Sequence, residues 1–332
     1  MFRNTGCYLL FLLFFVGYLR VSGQSDSLHK RPVVRFPNKI TLHSYFGINK
    51  LNLNIEKENN IPGIHRVPTV RYSPNSSLNW GFGASYKNLR LLLSVRIPQN
   101  EHVTNKYGSS LYRDYRLYYY TKYVGGEAFF QRYSGLYLDN PGAFDTAYHS
   151  GDPFPRRDDI SIYTYGVNTY IVGNRDFSLR SAFLQAERQT ENAFTGLVMF
   201  SYRYVRIEND TSLIPNAVIS EYISVDPFRD GYFRTFSIAP GIGLTWVKKR
   251  FFFTPIFLLG IGFQHQNYNS LSTGKHEIVP AVKFYIKGST GYNGDNFYVA
   301  LQYGSDNSYI PIGASTMRLN SASARLAFGY RL

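Results

Sequence analysis

Ten basic residues carry the clearest chemical signal in this sequence. Arg90, Arg96, Arg116, Lys122, Arg180, Arg203, Lys283, Lys287, Arg325 and Arg331 all fall opposite the apolar face of a segment that alternates with period two. In one such segment Leu89, Leu91, Leu93, Val95 and Ile97 share a side, while Arg90 and Arg96 share the other. Alternation of this kind belongs to strands with two different faces. Acidic residues in the same segments are few, chiefly Glu127, Asp176 and Glu187. If the apolar faces meet lipid, the cations must point inward, because a charge on the lipid face costs about 2–4 kcal/mol near the bilayer midplane. A ring of inward Lys and Arg attracts anions. The same cations can instead be paired inside a packed polar plug, and the sequence leaves the two readings level.

Nucleophilic and metal chemistry find less support. His43 and Ser44 are neighbours on one strand and so point to opposite faces. His265 and His276 flank one loop, within which Ser270 and Ser272 are candidate partners, the only constellation that suggests a lipid-modifying enzyme. No Gly-x-Ser-x-Gly motif is present, and the expectation is a protein with no catalytic residues. Asp152, Asp158 and Asp159 cluster in a loop, but Arg156 and Arg157 lie among them and the spacing matches no EF-hand. No metal site or cofactor is expected. Gly241-Ile242-Gly243 lies inside a strand and reads as a bend, not a phosphate loop.

The elements that must position these residues are strands. Alternating segments are expected near 39–56, 78–87, 89–97, 113–124, 126–138, 158–172, 175–188, 193–206, 231–247, 250–264, 276–288, 295–305 and 319–332. Very short polar turns such as Lys87-Asn88 and Lys248-Lys249 join some of them, and longer connections, 57–77, 98–112, 139–157, 207–230 and 306–318, separate others. The strands exceed the usual five or six residues. Long strands, short turns at one end and longer loops at the other predict an all-β fold, a transmembrane antiparallel barrel. Thirteen segments are one too many or one too few for a barrel of even strand number. The count becomes 14 if the first segment breaks near Gly47, or 12 if two segments are one. The short turn Gln189–Asn192 falls where a long loop should lie, so the parity is suspect there.

Composition agrees with an exported barrel. Of 332 residues only 17% are charged, while 29 Tyr and 26 Phe supply an aromatic excess. Arg3 followed by the apolar stretch Tyr8–Leu19 and the small residues before Gln24 reads as a signal peptide over 1–23. Residues 24–332 then form one barrel domain, with 24–38 as a short N-terminal extension. Without Arg3 and Arg20 the 36 basic residues become 34 against 22 acidic ones, a net charge of +12. A basic exported barrel suits outer-membrane lipid with anionic headgroups and anionic solutes as partners; no nucleic-acid motif is present. Cys7, the only cysteine, lies in the signal segment, which excludes disulfides and thiol chemistry from the remainder. No later apolar run is long enough for a spanning helix.

Several stretches in succession resemble a family of exported Gram-negative proteins catalogued as domain of unknown function 4421. They are Arg71-Tyr72-Ser73-Pro74-Asn75, Gly81–Lys87, Phe130–Tyr137, Arg157-Asp158-Asp159-Ile160, Phe177-Ser178-Leu179-Arg180, Ala239-Pro240-Gly241 and Gly291-Tyr292-Asn293. Their order covers nearly the whole exported chain. Thr190-Glu191-Asn192-Ala193 departs from the small-residue turn expected after Gln189. The resemblance implies an outer-membrane-type barrel and no known activity. Three functions follow as expectations: a pore or binding site for anionic solutes through a basic lumen, a plugged barrel whose loops engage a surface partner, and a lipid-modifying enzyme in third place.

Overall fold

A computed structural model describes residues 32–57, 67–75, 78–222, 228–270, 274–312 and 315–332. The signal segment therefore lies outside the described residues, as do Ser272 and most of the first loop. In chain order the strands are β1 (Val33–Arg35), β2 (Ile40–Lys57), β3 (Val70–Ser73), β4 (Leu78–Tyr86), β5 (Leu89–Arg96), β6 (Leu111–Tyr120), β7 (Val124–Leu138), β8 (Arg156–Val172), β9 (Glu187–Gln189), β10 (Ala193–Glu208), β11 (Phe228–Lys248), β12 (Phe251–Ser270), β13 (Gly274–Asn293), β14 (Phe297–Ile312) and β15 (Ser315–Arg331). Each pairing among them is antiparallel, and β15 pairs with β2 over Ser315–Arg331 to close the ring. Twelve strands form this ring: β2, β4 to β8, and β10 to β15. Closure leaves no lipid-exposed sheet edge, which is what a spanning sheet requires.

The outer wall explains the alternation. Leu89, Leu91, Leu93 and Val95 of β5 and Phe251, Phe253, Phe257, Leu259, Ile261 and Phe263 of β12 are exposed. Large apolar groups exposed in continuous rows around a closed barrel are lipid contacts, not misplaced core. No helix among the described residues is long and apolar enough to cross a membrane. The pairing of β11 with β12 depends on glycine at one point: a Cβ at Gly241 would run into the Phe257 carbonyl oxygen.

Both chain ends of the ring lie at one rim with the short turns 87–88, 121–123, 249–250 and 294–296, whereas the connections 271–273 and 313–314 at the other rim are equally short, so the long loop expected over 306–318 is strand for most of its length. At the other rim are the longer connections, including helix α1 (Glu101–Tyr107) and a 3₁₀ segment, Asn216–Tyr222. Asn100 caps α1 by accepting from the Val103 amide at 3.0 Å. The turn rim has one long connection, residues 173–192, between β8 and β10. It folds back into the barrel as a π-helical turn, Arg180–Leu184, with Phe177, Leu179, Ala182, Phe183 and Leu184 buried. The strand expected over 175–188 is therefore not a strand. Residues 177–179 and 181–185 are buried inside the ring, so their apolar spacing reports burial and not a two-faced sheet. Removing this segment gives 12 strands and resolves the parity fault at Gln189–Asn192. The same plug carries β9, which pairs with β1.

The interior is filled in two layers. The turn-rim layer packs Phe177, Leu179, Phe183 and Leu184 against Leu92, Tyr120, Tyr170 and Leu258. The loop-rim layer joins inward residues of β2, β8, β10 and β15, including Leu53, Ile162, Ile207 and Leu319, to Val70, Leu213, Ile214 and Tyr222 from the loops. Leu51, Leu53 and Ile55 thus form an inward face, and Asn52 and Asn54 point out. The arrangement expected for lipid-facing apolar residues is reversed there, because this part of β2 projects past the lipid into water.

Candidate functional site

Between the two apolar layers lies a belt of buried charges, which joins neighbours on the same or adjacent strands to cations from across the ring. Asp114 of β6 accepts from Arg116 Nε at 2.9 and 3.0 Å, from Arg325 Nη2 at 3.1 Å and from the Tyr112 hydroxyl at 2.7 Å. Asp306 of β14 accepts from Lys283 Nζ at 2.6 and 2.7 Å and also from Arg203, whose other nitrogen donates to Ser308 Oγ at 2.8 Å. Glu127 of β7 pairs with Lys287 and the Tyr120 hydroxyl, and Lys287 donates to that hydroxyl at 2.8 Å. Each of Asp114 and Asp306 serves two cations. A charge taken from water this way must have a close partner.

The remaining basic residues divide. Arg90, 1% exposed, donates from Nη1 to the Phe183 carbonyl of the plug at 2.5 Å. Arg331 donates to the carbonyls of Gln185 at 2.7 Å and Gly294 at 2.6 Å, which ties the last strand to the plug. Arg96 reaches Gln99 Oε1 at 2.7 Å and the Ser110 carbonyl near the loop rim. Two placements correct the expectation of lumen-facing strand residues. Arg180 sits on the π-helical plug, where it binds Asn88 Oδ1 at 2.6 Å and Glu187. Lys122 stands exposed in the turn between β6 and β7, since β6 ends at Tyr120. The free interior around Lys287, Arg116 and Arg325 is a cavity of about 30 Å³, room for one or two water molecules.

The histidines separate as well. His43 points inward and meets Ser85 Oγ of β4 at 2.6 Å through Nε2 and the Tyr298 hydroxyl at 2.5 Å through Nδ1. A cross-strand serine, not Ser44, is its partner. Both ring nitrogens are occupied by hydroxyls, no carboxylate orients the ring, and His43 and Ser85 are 3% and 2% exposed. His265 and His276 both belong to rows on the outer wall, with His265 opposite Arg234 and His276 opposite Asn267.

The loop rim also carries open space. A groove of about 590 Å³ is lined by Arg71, Lys106, Asp139, Asn140, Tyr148 and Phe154 among others. Phe154 stacks on Tyr107 at 5.0 Å and meets Tyr148 at 5.8 Å, and Lys106 lies 6.0 Å from the Phe154 ring. Asn140 holds the groove floor: its Oδ1 accepts from the Arg71 amide and its Nδ2 donates to the Thr69 carbonyl. Nearby, Arg157 clasps Asp159 with two bonds of 2.8 Å and donates to the Ser212 carbonyl at 2.9 Å. The Arg157 hydrogen bonds hold the Asp159 carboxyl below its ordinary range. Asp158 and Asp159 are thus part of β8 and its loop clasp. Tyr222 caps the inner layer, its hydroxyl donating to the Pro68 carbonyl at 3.1 Å, and burial pushes it up to about 12.

A closed antiparallel ring with an apolar outer wall, aromatic rows and a polar belt inside defines an outer-membrane-type β-barrel. Within that class the chain belongs to the family described as "Domain of unknown function (DUF4421)", which matches residues 31–332. Solved structures similar to it include the outer membrane protease OmpT of Escherichia coli, at 8% identity and a TM-score of 0.41, covering 93% of this chain and 100% of that one. The toluene transporter TodX of Pseudomonas putida is similar at 7% identity and a TM-score of 0.29, covering 90% and 91%. The translocator domain of the autotransporter NalP from Neisseria meningitidis follows at 8% and 0.31, covering 98% and 95%. No curated protein matches the sequence.

Proposed function

We propose that this chain is an exported outer-membrane barrel of a Gram-negative envelope, closed to solutes, that acts as a surface-binding protein through its loop rim. The observation that carries this reading is the filled interior. Two apolar layers seal the ring, and the buried cations between them are spent on carboxylates, hydroxyls and plug carbonyls. An anion-conducting lumen needs cations that water and solute can reach. The loop-rim groove is the alternative site: ring faces from Phe154 and Tyr148 beside Arg71 and Lys106 suit an anionic ligand with a flat ring, such as an acidic saccharide. Catalysis has weaker support, since the buried His43–Ser85 contact lacks both an orienting carboxylate and access.

The test is single-channel recording of the folded barrel in a planar bilayer, paired with binding to an array of charged and neutral glycans. No conductance steps are expected, and retention of acidic glycans should fall in Arg71→Gln/Lys106→Gln. Stable anion-selective steps would overturn the closed barrel. An unchanged glycan profile in the double variant would remove the groove.

A further inference from the structure

The outer wall between β6 and β11 changes character in three successive rows. The lowest is apolar, with Leu117, Val167, Phe236 and Phe263 in register through their neighbours. The next is aromatic: Tyr165 stacks on Tyr204 at 4.5 Å, and Tyr204 on Tyr232 of the adjacent strand at 6.0 Å. The third is basic. Arg113 of β6 lies directly opposite Arg132 of β7, and Arg132 opposite Tyr163 of β8, which faces Arg206 of β10. Arg234 of β11, one row lower, sits diagonally to Arg206. Apolar, then aromatic, then cationic is the sequence met on crossing from hydrocarbon to headgroup.

Three of these arginines, Arg113, Arg132 and Arg234, make no ion pair with a carboxylate among the described residues, unlike the interior cations. Like charges directly opposite on adjacent strands repel, so the Arg113–Arg132 pair is unfavourable without an anion. Arg113 is exposed. Arg132 is held upright by the Tyr163 ring at 4.9 Å and by Ser134 Oγ at 3.2 Å. Arg234 stands 5.1 Å from the Tyr232 ring. Arg206 has one acid beside it, Glu208 at 2.7 Å. The feature is one-sided. At the corresponding row β2, β4, β5 and β15 present Phe46, Trp80, Val95 and Leu326; farther along β15, Arg318 is paired with Glu56 at 2.7 Å.

We propose that this face binds the phosphate-bearing headgroup of an outer-leaflet glycolipid. Planar guanidinium groups pair bidentately with phosphate oxygens, and their position above the aromatic row places them at the depth of a headgroup whose chains lie along the apolar row. The Arg113/Arg132 and Arg206/Arg234 clusters are three strand spacings apart, roughly 14 Å. That separation suits a headgroup with a phosphate at each end better than one with a single phosphate.

The test uses the folded full barrel in detergent and two probes: a diphosphorylated glucosamine-based lipid and the same lipid with its phosphates removed. Native mass spectrometry counts the lipids retained, and heat-modified gel migration confirms folding. Wild type should retain the diphosphorylated probe at least ten-fold more than the dephosphorylated one. Arg113→Gln/Arg132→Gln and Arg206→Gln/Arg234→Gln should each lose that preference, while Arg318→Gln keeps it. Equal retention of the two probes by wild type would overturn the proposal even if the variants failed to fold. So would folded double variants that bind as wild type does, or full displacement of the lipid by millimolar inorganic phosphate.

Discussion

Asp306→Asn is the substitution that most sharply separates a sealed interior from a water-filled one. Lys283 Nζ has both its hydrogen bonds on the Asp306 carboxylate, at 2.6 and 2.7 Å, with the side chains 6% and 10% exposed. Arg203 retains Ser308 and the Phe129 ring at 5.6 Å after the change, so Lys283 is the group left stranded. At 2.6 Å the gross attraction is about 6 kcal/mol for an effective dielectric of 20, and about 1.6 kcal/mol in bulk water. Breaking a buried pair by removing one partner costs about 3–5 kcal/mol, whereas an exposed pair is worth about 0–1 kcal/mol.

The assay is reversible unfolding in guanidinium from lipid vesicles, followed by aromatic fluorescence. A loss of about 3–5 kcal/mol is expected for Asp306→Asn. Adding Lys283→Met should recover most of it, because the stranded charge is gone and its stem still fills space. A loss below about 1 kcal/mol would refute the reasoning: the charge belt would then be hydrated, the apolar layers would not seal it, and the lumen would again be a candidate conduit.

Three further outcomes follow from the geometry. Gly241→Ala should abolish folding yield into vesicles, because its Cβ would run into the Phe257 carbonyl oxygen in backbone that cannot swing away; normal yield by heat-modified gel shift would contradict the need for glycine in this pairing. Arg331→Gln removes donors to Gln185 and Gly294, so protease should cut the 173–192 plug faster than in wild type while the strands stay intact; equal cleavage would count against the tie. Asp159 has its carboxyl lowered by hydrogen bonds from Arg157, so its contribution is complete above the ordinary carboxylate value of about 3.9 and is lost as pH falls through the folded one. Hydrogen exchange over 209–222 should therefore be faster in Asp159→Asn than in wild type at pH 6, and the difference should shrink once pH falls below the ordinary carboxylate value; a difference independent of pH would break the assignment.

How much of this was legible depends on which solvent each face meets. The ring was readable because lipid demands an apolar row on one side of every strand, as in Leu89 to Val95. The plug was not, because a segment buried inside the ring shows no polar face: Phe177, Leu179 and Phe183 alternate as a strand would, and only the misplaced short turn at Gln189–Asn192 betrayed it. Of the ten basic residues, those on ring strands were found by alternation, but the pairs Arg325–Asp114, Arg203–Asp306 and Lys287–Glu127 were not, since their members come from strands far apart in sequence and meet only through closure. Lys122 was misread because alternation was carried two residues past the end of β6.

One change of parity accompanies the filled loop-rim half of the barrel. In β2 the outward apolar residues are Ile40, Leu42, Phe46 and Ile48, and the inward ones Leu51, Leu53 and Ile55. The step from 48 to 51 is odd, and in a strand an odd step changes face. The same change separates Tyr165, Val167 and Ile171 from Ile160 and Ile162 in β8, and Leu326, Phe328 and Tyr330 from Met317 and Leu319 in β15. A pore has no reason to make that change, because its interior stays wet above the lipid as well as within it. A barrel that fills its upper half with protein must make it, so the parity of the buried and exposed apolar residues supports the closed reading.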